Sequence, residues 1–212
     1  SRQICDDLLY RDPDTNEYKP LLAKTYKWLD TTTMEFELRQ GIKFHNGEKF
    51  DADDVVYTLN FMSNPDNKVL VQRNVNWIDK AEKLGPYKVK LYLKKAFPSA
   101  LEYLAGNLPI YPNEYYAKVG TKGFGLKPVG TGPYKVVDHE LGRKIVFERN
   151  EDYFKDSPKG RPAIQRLVQR TIPEITTMSA EIMTGGLDWI YMVPKDQADQ
   201  MAKLKRFQVV KA

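Results

Sequence analysis

The sequence predicts a chain of mixed class, α+β in a strand-rich region up to about residue 127 and α/β from about residue 128 onward. Three observations carry this. Thr33 to Arg39 and Tyr87 to Leu93 alternate apolar and polar residues with the period of a half-buried strand. From Tyr134 onward the rhythm becomes strand, helix, strand, helix, strand with short connections, the order of a parallel or mixed sheet with flanking helices. Between the two regions, Gly120, Gly123, Gly125, Pro128, Gly130, Gly132 and Pro133 leave no room for a regular element.

The elements follow in order. Ile4 to Leu9 reads as the end of an amphipathic helix, and Asp12-Pro13-Asp14-Thr15-Asn16 as a turn. Pro20 to Trp28 is a short apolar stretch. In the strand from Thr33, residues Met34, Phe36 and Leu38 share one face and Glu35, Glu37 and Arg39 the other. Ile42 to Phe44 is a short strand, and Asn46-Gly47 supplies two left-handed positions for a tight turn. Asp51 caps a helix, Asp54 three residues on places a carboxylate near its exposed N–H groups and positive end, and Val55, Val56, Leu59 and Met62 form its apolar face. Pro65 ends it. Residues 66–86 carry no clear pattern. Pro98 opens a helix whose apolar side is Ala100, Leu101 and Leu104, with Gly106 just past its end. Asn113 to Val119 is a further short helix. Tyr134 to Val137 and Lys144 to Arg149 are strands around a turn at Gly142, and Ile164 to Thr171 is a strand. Glu174 to Met183 is a helix closed by Gly185-Gly186. Leu187 to Tyr191 is a strand, Lys195 to Leu204 a helix and Phe207 to Val210 a strand.

The 212 residues carry a formal charge of +5, which is diffuse: the first 60 hold 8 Lys/Arg against 12 Asp/Glu, and the densest basic cluster is Lys203, Lys205 and Arg206. A nucleic-acid binder concentrates its charge on one element, so this reading is set aside. No apolar run approaches membrane-spanning length, so any membrane association is expected to be peripheral. Ser1 opens the chain without an initiator Met, which reads as a processing boundary.

Residues for catalysis or metal binding are sparse. The two histidines, His45 and His139, belong to no ligand cluster; His45, beside the Asn46-Gly47 turn, reads as a local hydrogen-bonding residue. The single cysteine, Cys5, sits among Ile4, Leu8 and Leu9 and reads as a buried, inert thiol. Gly120 and Gly125 have the spacing of a phosphate loop, but Leu126 stands where the lysine is needed. Gly123 and Gly125 begin a dinucleotide fingerprint that Pro128 breaks; Gly130 and Gly132 begin another that Lys135 breaks. Asp51, Asp53 and Asp54 lack the glycine and closing glutamate of a calcium loop. Neither a hydrolase nor a metal or cofactor enzyme is therefore expected.

Three ordered segments resemble a known family. The first is Trp28-Leu29-Asp30, then Phe36-Glu37-Leu38-Arg39-Gln40-Gly41-Ile42-Lys43-Phe44-His45-Asn46-Gly47, then Asp51-Ala52-Asp53-Asp54-Val55-Val56-Tyr57. The second is Val129-Gly130-Thr131-Gly132-Pro133-Tyr134 with Glu148-Arg149-Asn150-Glu151-Asp152-Tyr153-Phe154. The third is Gly186-Leu187-Asp188 with Val193-Pro194. Together they resemble the bacterial extracellular solute-binding proteins of family 5, over essentially the whole chain.

The resemblance implies a substrate-binding component of an ABC importer that is not an enzyme and works without a cofactor or metal of its own. Such a protein captures di- or oligopeptides and hands them to permease subunits, and nickel chelates, opines or sugars are the alternative ligands. It implies the periplasm as location, or the exterior of a Gram-positive cell on a lipid anchor. It also implies a periplasmic binding protein type II-like first lobe, made of residues 1–9 and 128–212, with residues 10–127 inserted as a smaller strand-rich α+β region. The family's second lobe would follow Ala212, and one strand of the first lobe would precede Ser1. On that reading the chain alone supplies half of the ligand contacts and binds peptide weakly, and an unpaired sheet edge favours self-association. Ligands in open α/β sheets sit beyond the carboxyl ends of strands. This places Tyr191 and Met192, with Trp189 behind them, at the ligand.

Overall fold

The computed structural model describes residues 2–210 and divides them into two compact units, one of residues up to 141 with 145–169, the other of 142–144 with residues from 170 onward.

The first unit is built on a four-stranded antiparallel sheet. Its strands are β3 (Ala23–Asp30), β4 (Thr33–Leu38), β5 (Ile78–Gly85) and β6 (Lys88–Leu93), in the order β3-β4-β6-β5. Both alternating segments are strands, and their registers match. Met34 pairs with Leu91 and Phe36 with Val89, so both apolar sets lie on one face and are buried. The opposite face carries charge: Glu35 accepts from Lys27 at 3.1 Å and Lys88 at 3.0 Å, which holds its carboxyl below the usual range. Residues 66–86, patternless in sequence, contain β5 and two single 3-10 turns at Pro65–Asn67 and Gln72–Asn74.

Helix α1 (Ala52–Ser63) lies on the buried face. Asp51 caps its amino end as expected, and with Asp54 it forms a capping box: Asp51 Oδ1 accepts the Asp53 N–H at 2.7 Å, and Asp54 Oδ2 accepts the Asp51 N–H at 2.9 Å. Asp54 also reaches outside its helix. Its Oδ1 accepts the Asn113 N–H at 2.9 Å and so ties α1 to the start of α3 (Asn113–Leu126). Helix α2 (Ala100–Leu104) is shorter than Pro98 suggested, with Ser99 at its N-cap, and Gly106 past its end lacks the left-handed conformation of a helix-closing glycine.

Five local expectations are corrected by the structure. Ile4 to Leu9 is not helical. All six residues are buried, and the backbone carbonyls of Ile4, Asp6, Asp7 and Leu8 accept N–H groups from Gly132, Ile110, Leu22 and Leu21, so no i→i−4 ladder forms. The segment ends in β1 (Leu9–Arg11), paired with β2 (Tyr18–Pro20). Ile42 to Phe44 forms only an isolated bridge, Lys43 to Lys49. Of Asn46-Gly47 only Gly47 is left-handed, at φ 92°; the Asn46 side chain instead accepts the Glu48 N–H at 3.2 Å. The glycine-rich stretch after Gly120 does contain helix: α3 kinks at Gly120, φ 64°, and continues to Leu126. Phe124 lies 4.8 Å from Tyr111 and 5.0 Å from Tyr116, ring to ring, and this packing holds a turn that propensity alone disfavours.

A three-stranded sheet, ordered β7-β8-β9, is formed by β7 (Tyr134–Glu140), β8 (Lys144–Arg149) and β9 (Arg166–Arg170). The β7–β8 turn holds Gly142 at φ 72°, as its position predicted. In the second unit, α4 (Ile175–Thr184) closes on Gly185 at φ 84°, and α5 (Lys195–Ala202) follows Pro194. The fifth correction falls here: Leu187 to Tyr191 and Phe207 to Val210 enter no ladder among the described residues. Apolar alternation makes a strand only where a neighbour offers backbone partners.

Candidate functional site

The three residues expected at the ligand are brought together by the second unit. Gly185 and Gly186 end α4, with the Gly186 N–H bonded to the Glu181 carbonyl at 2.8 Å, and Pro194 starts α5. The chain between them is irregular, with bends at Asp188 and Met192, and it brings Trp189 and Tyr191 to the same side. Their rings stack with centroids 5.5 Å apart and planes at 17°. Trp189 is 74% exposed, Tyr191 56% and Met192 86%, and Met192 holds a left-handed φ of 58°, uncommon for a side chain of its size. A stacked, exposed pair offers a flat apolar surface of fixed shape at low entropy cost, which suits dispersion contact with a ligand.

A buried polar network in the first unit was not singled out in the sequence. Asp6 is fully buried. Its Oδ1 pairs with Lys159 Nζ at 2.6 Å and accepts from the Tyr153 hydroxyl at 3.3 Å, and its Oδ2 accepts from Thr131 at 3.2 Å. Lys159 also donates to the Arg2 carbonyl at 3.0 Å. Asp7 accepts the Leu108 N–H at 3.0 Å, and burial pushes its carboxyl up to about 7; burial raises Asp6 as well, against the pull of Lys159. The available signal was two consecutive aspartates inside the apolar run Ile4 to Leu9, which charged residues enter only with partners.

His45 has a longer reach than its turn suggested. Its Nδ1 accepts the Gly130 N–H at 3.3 Å, its Nε2 donates to the Gly132 carbonyl at 2.9 Å, and its own N–H donates to the Gly130 carbonyl at 2.8 Å. The two glycine partners, one able only to donate and the other only to accept, fix the neutral tautomer. Burial pushes the imidazole down to about 4. Gly130 and Gly132 are needed here for space: an added Cβ would meet the Ile4 carbonyl at 2.1 Å and the Gln3 carbonyl at 2.6 Å. The glycine stretch that fails as a phosphate loop is thus a close backbone crossing.

His139 bonds to the Leu126 carbonyl at 3.2 Å, away from His45. Among the described residues no group of three or more His, Cys, Asp or Glu could hold a metal ion, and no helix is long and apolar enough to cross a membrane. Cys5 is buried with its sulfur 4.0 Å from the Val129 carbonyl, and burial pushes the thiol up to about 12.

The fold has well-matched solved counterparts. The PBP AgaA from A. tumefaciens R10, in complex with agropinic acid, superposes with a TM-score of 0.87 and 29% identity over 96% of this chain and 41% of that one. A dipeptide-binding protein from Pseudoalteromonas sp. SM9913, in complex with Met-Leu, gives 0.81 and 27% over 96% and 44%. The glutathione-binding protein GsiB of Salmonella paratyphi A is 30% identical over 193 residues, 91% of this chain and 37% of that relative. These likenesses define the class, the type II-like periplasmic binding proteins. Within it, the chain belongs to the bacterial extracellular solute-binding proteins, family 5, whose middle-region profile matches residues 17–212. The chain spans well under half the length of the relatives it matches.

Proposed function

We propose that the protein is the substrate-binding component of an ABC importer, that it captures di- or oligopeptides outside the inner membrane, in the periplasm or at a lipid-anchored cell surface, and that it delivers them to permease subunits. The observation that carries the reading is the exposed Trp189–Tyr191 stack beside Met192, in a chain whose relatives include a binder of glutathione and a binder of Met-Leu. Trp189, Tyr191 and Met192 are the ligand-facing residues of this proposal. The raised thiol of Cys5 supports a binding role over covalent catalysis.

The lobe division is part of the same proposal. Two separate buried clusters support it in outline, Ile4, Cys5, Tyr134 and Phe147 in one and Leu22 through Ile110 in the other, with Leu8, Leu9 and Val129 joining the second from across the proposed boundary. The first would belong to the ligand-closing lobe and the second to the inserted region. Closure of that lobe on the ligand is what the permease would read.

Isothermal titration calorimetry on the protein at its full natural length tests the proposal, with Met-Leu, glutathione and agropinic acid as ligands. The expected result is binding of a peptide at micromolar Kd or tighter, weakened at least about tenfold by Trp189→Ala or Tyr191→Ala. Binding of agropinic acid alone would replace the peptide by an opine. Unchanged affinity in both variants would remove the site assignment.

A further inference from the structure

The first unit holds a cleft of about 280 Å³ built from none of the residues of the aromatic segment. Arg2, Arg11 and Lys159 line it together with Asp7, Leu9 and Leu21. The volume lies just under the roughly 300 Å³ at which sites for drug-sized ligands begin, so an occupant must be small.

Its charges are unevenly matched. Lys159 is committed to Asp6 at 2.6 Å, so two adjacent buried carboxylates share one half-buried cation. Asp7 is 3% exposed and has no ion-pair partner among the described residues. Its Oδ1 is used by Leu108, while its Oδ2 has no hydrogen-bond partner among those residues. That oxygen is not among the fully buried unpartnered atoms, so it is open to the cleft, where a ligand donor can take the place of water. The rim has the opposite character. Arg2 and Arg11 are exposed, and each bonds through one terminal nitrogen, Arg2 to the Gly106 carbonyl at 3.3 Å and Arg11 to Glu102 at 3.1 Å. A guanidinium has five donors, so both keep N–H groups for a second anion. A buried acceptor, exposed cations and the apolar surface of Tyr10 and Pro162 in one cleft are complementary to one chemical class.

We propose that this cleft is a second ligand site, for a free α-amino acid with an aliphatic side chain: its ammonium on Asp7 Oδ2, its carboxylate on Arg2 and Arg11, its side chain against the half-buried Tyr10 and Pro162. An amine alone would leave the rim unused and meet three cations, and a carboxylate alone would leave Asp7 unmatched. The charged groups acting on Asp7 are Lys159, Asp6 and Arg2, and Arg11, paired with Glu102, lines the same cleft. Because burial pushes the Asp7 carboxyl up to about 7, the empty cleft is half protonated at neutral pH, and an ammonium ligand must displace that proton. Affinity therefore rises from pH 6 to pH 8 and levels off above.

Titration by calorimetry or ligand-observed NMR at pH 8 uses norleucine, with butylammonium and butyrate as single-charge probes. Norleucine should bind at least about tenfold tighter than either probe. Asp7→Asn keeps an acceptor for the Leu108 N–H and should lower norleucine to the butyrate level. Arg11→Ala should lower it toward the butylammonium level. Trp189→Ala should leave norleucine binding unchanged, which separates this site from the peptide proposal. Should Asp7→Asn fail to fold, the pH dependence of the unmodified protein decides. The proposal is overturned if Asp7→Asn binds norleucine like the unmodified protein, if butyrate equals norleucine, if affinity is flat between pH 6 and 8, or if no saturable binding occurs up to about 20 mM.

Discussion

Replacing His45 by alanine breaks the link between two distant segments of the first unit, and the cost can be worked out bond by bond. The imidazole makes two side-chain hydrogen bonds, to the Gly132 carbonyl at 2.9 Å and from the Gly130 N–H at 3.3 Å. The Gly132 carbonyl keeps a second partner, Asn150 Nδ2 at 3.2 Å, so its loss costs about 1 kcal/mol. The Gly130 N–H is left without an acceptor in a buried crossing, at about 1–3 kcal/mol. The sum is about 2–4 kcal/mol at pH 7.5, which for a unit of this size lowers Tm by about 5–12 °C. The pH dependence gives the sharper test. The native imidazole is held down to about 4 against 6.5 when unfolded. Between these values the unfolded chain binds the extra proton, so the contribution of His45 is fully present above pH 6.5 and is lost as pH falls to 4, by about 3 kcal/mol. The gap between the original protein and His45→Ala should therefore close on acidification. Urea melts of both proteins at pH 7.5, 6, 5 and 4 measure it. A gap that stays constant across this range would refute the neutral, doubly bonded state of His45.

Other outcomes follow from the same contacts. Gly132→Ala places a Cβ 2.6 Å from the Gln3 carbonyl and should destabilise by about 3 kcal/mol or more, read as a Tm loss with faster hydrogen exchange at Ile4 and Tyr134. Lys159→Met leaves the buried Asp6 without its cation and should cost about 3–5 kcal/mol at pH 7.5, with partial recovery in the double variant with Asp6→Asn, measured by denaturant melts. Asp54→Ala removes the acceptor of the Asp51 and Asn113 N–H groups and should cost about 2–3 kcal/mol at low pH. Burial raises the Asp54 carboxyl from 3.8 to about 6, so the folded state binds the extra proton between these values and native stability falls as pH rises through them. The penalty of Asp54→Ala should then shrink from pH 4 to pH 7, and a penalty that grew instead would contradict the burial of Asp54.

The sequence by itself determined whatever depends on neighbours a few residues away. Alternation in Thr33–Leu38 and Lys88–Leu93 identifies β4 and β6 because a pleated strand needs only a period of two and one buried face. Asp51 and Asp54 announce the start of α1, and Gly142 and Gly185 a turn and a helix end, because caps and left-handed positions are satisfied within one turn of chain. The ordered motifs determined the family. Tyr191, Met192 and Trp189 are singled out in the sequence as the carboxyl end of a strand after Asp188, and that strand does not form among the described residues. Tertiary structure alone decided the rest. His45 meets residues 85 and 87 positions away, and Asp6 meets Lys159 across 153, separations over which no local pattern carries information. For the same reason Ile4 to Leu9, amphipathic on paper, became a buried strut: its carbonyls found better partners in three other segments than a helix could offer. The cleft beside Asp7 exists only because those segments converge on it.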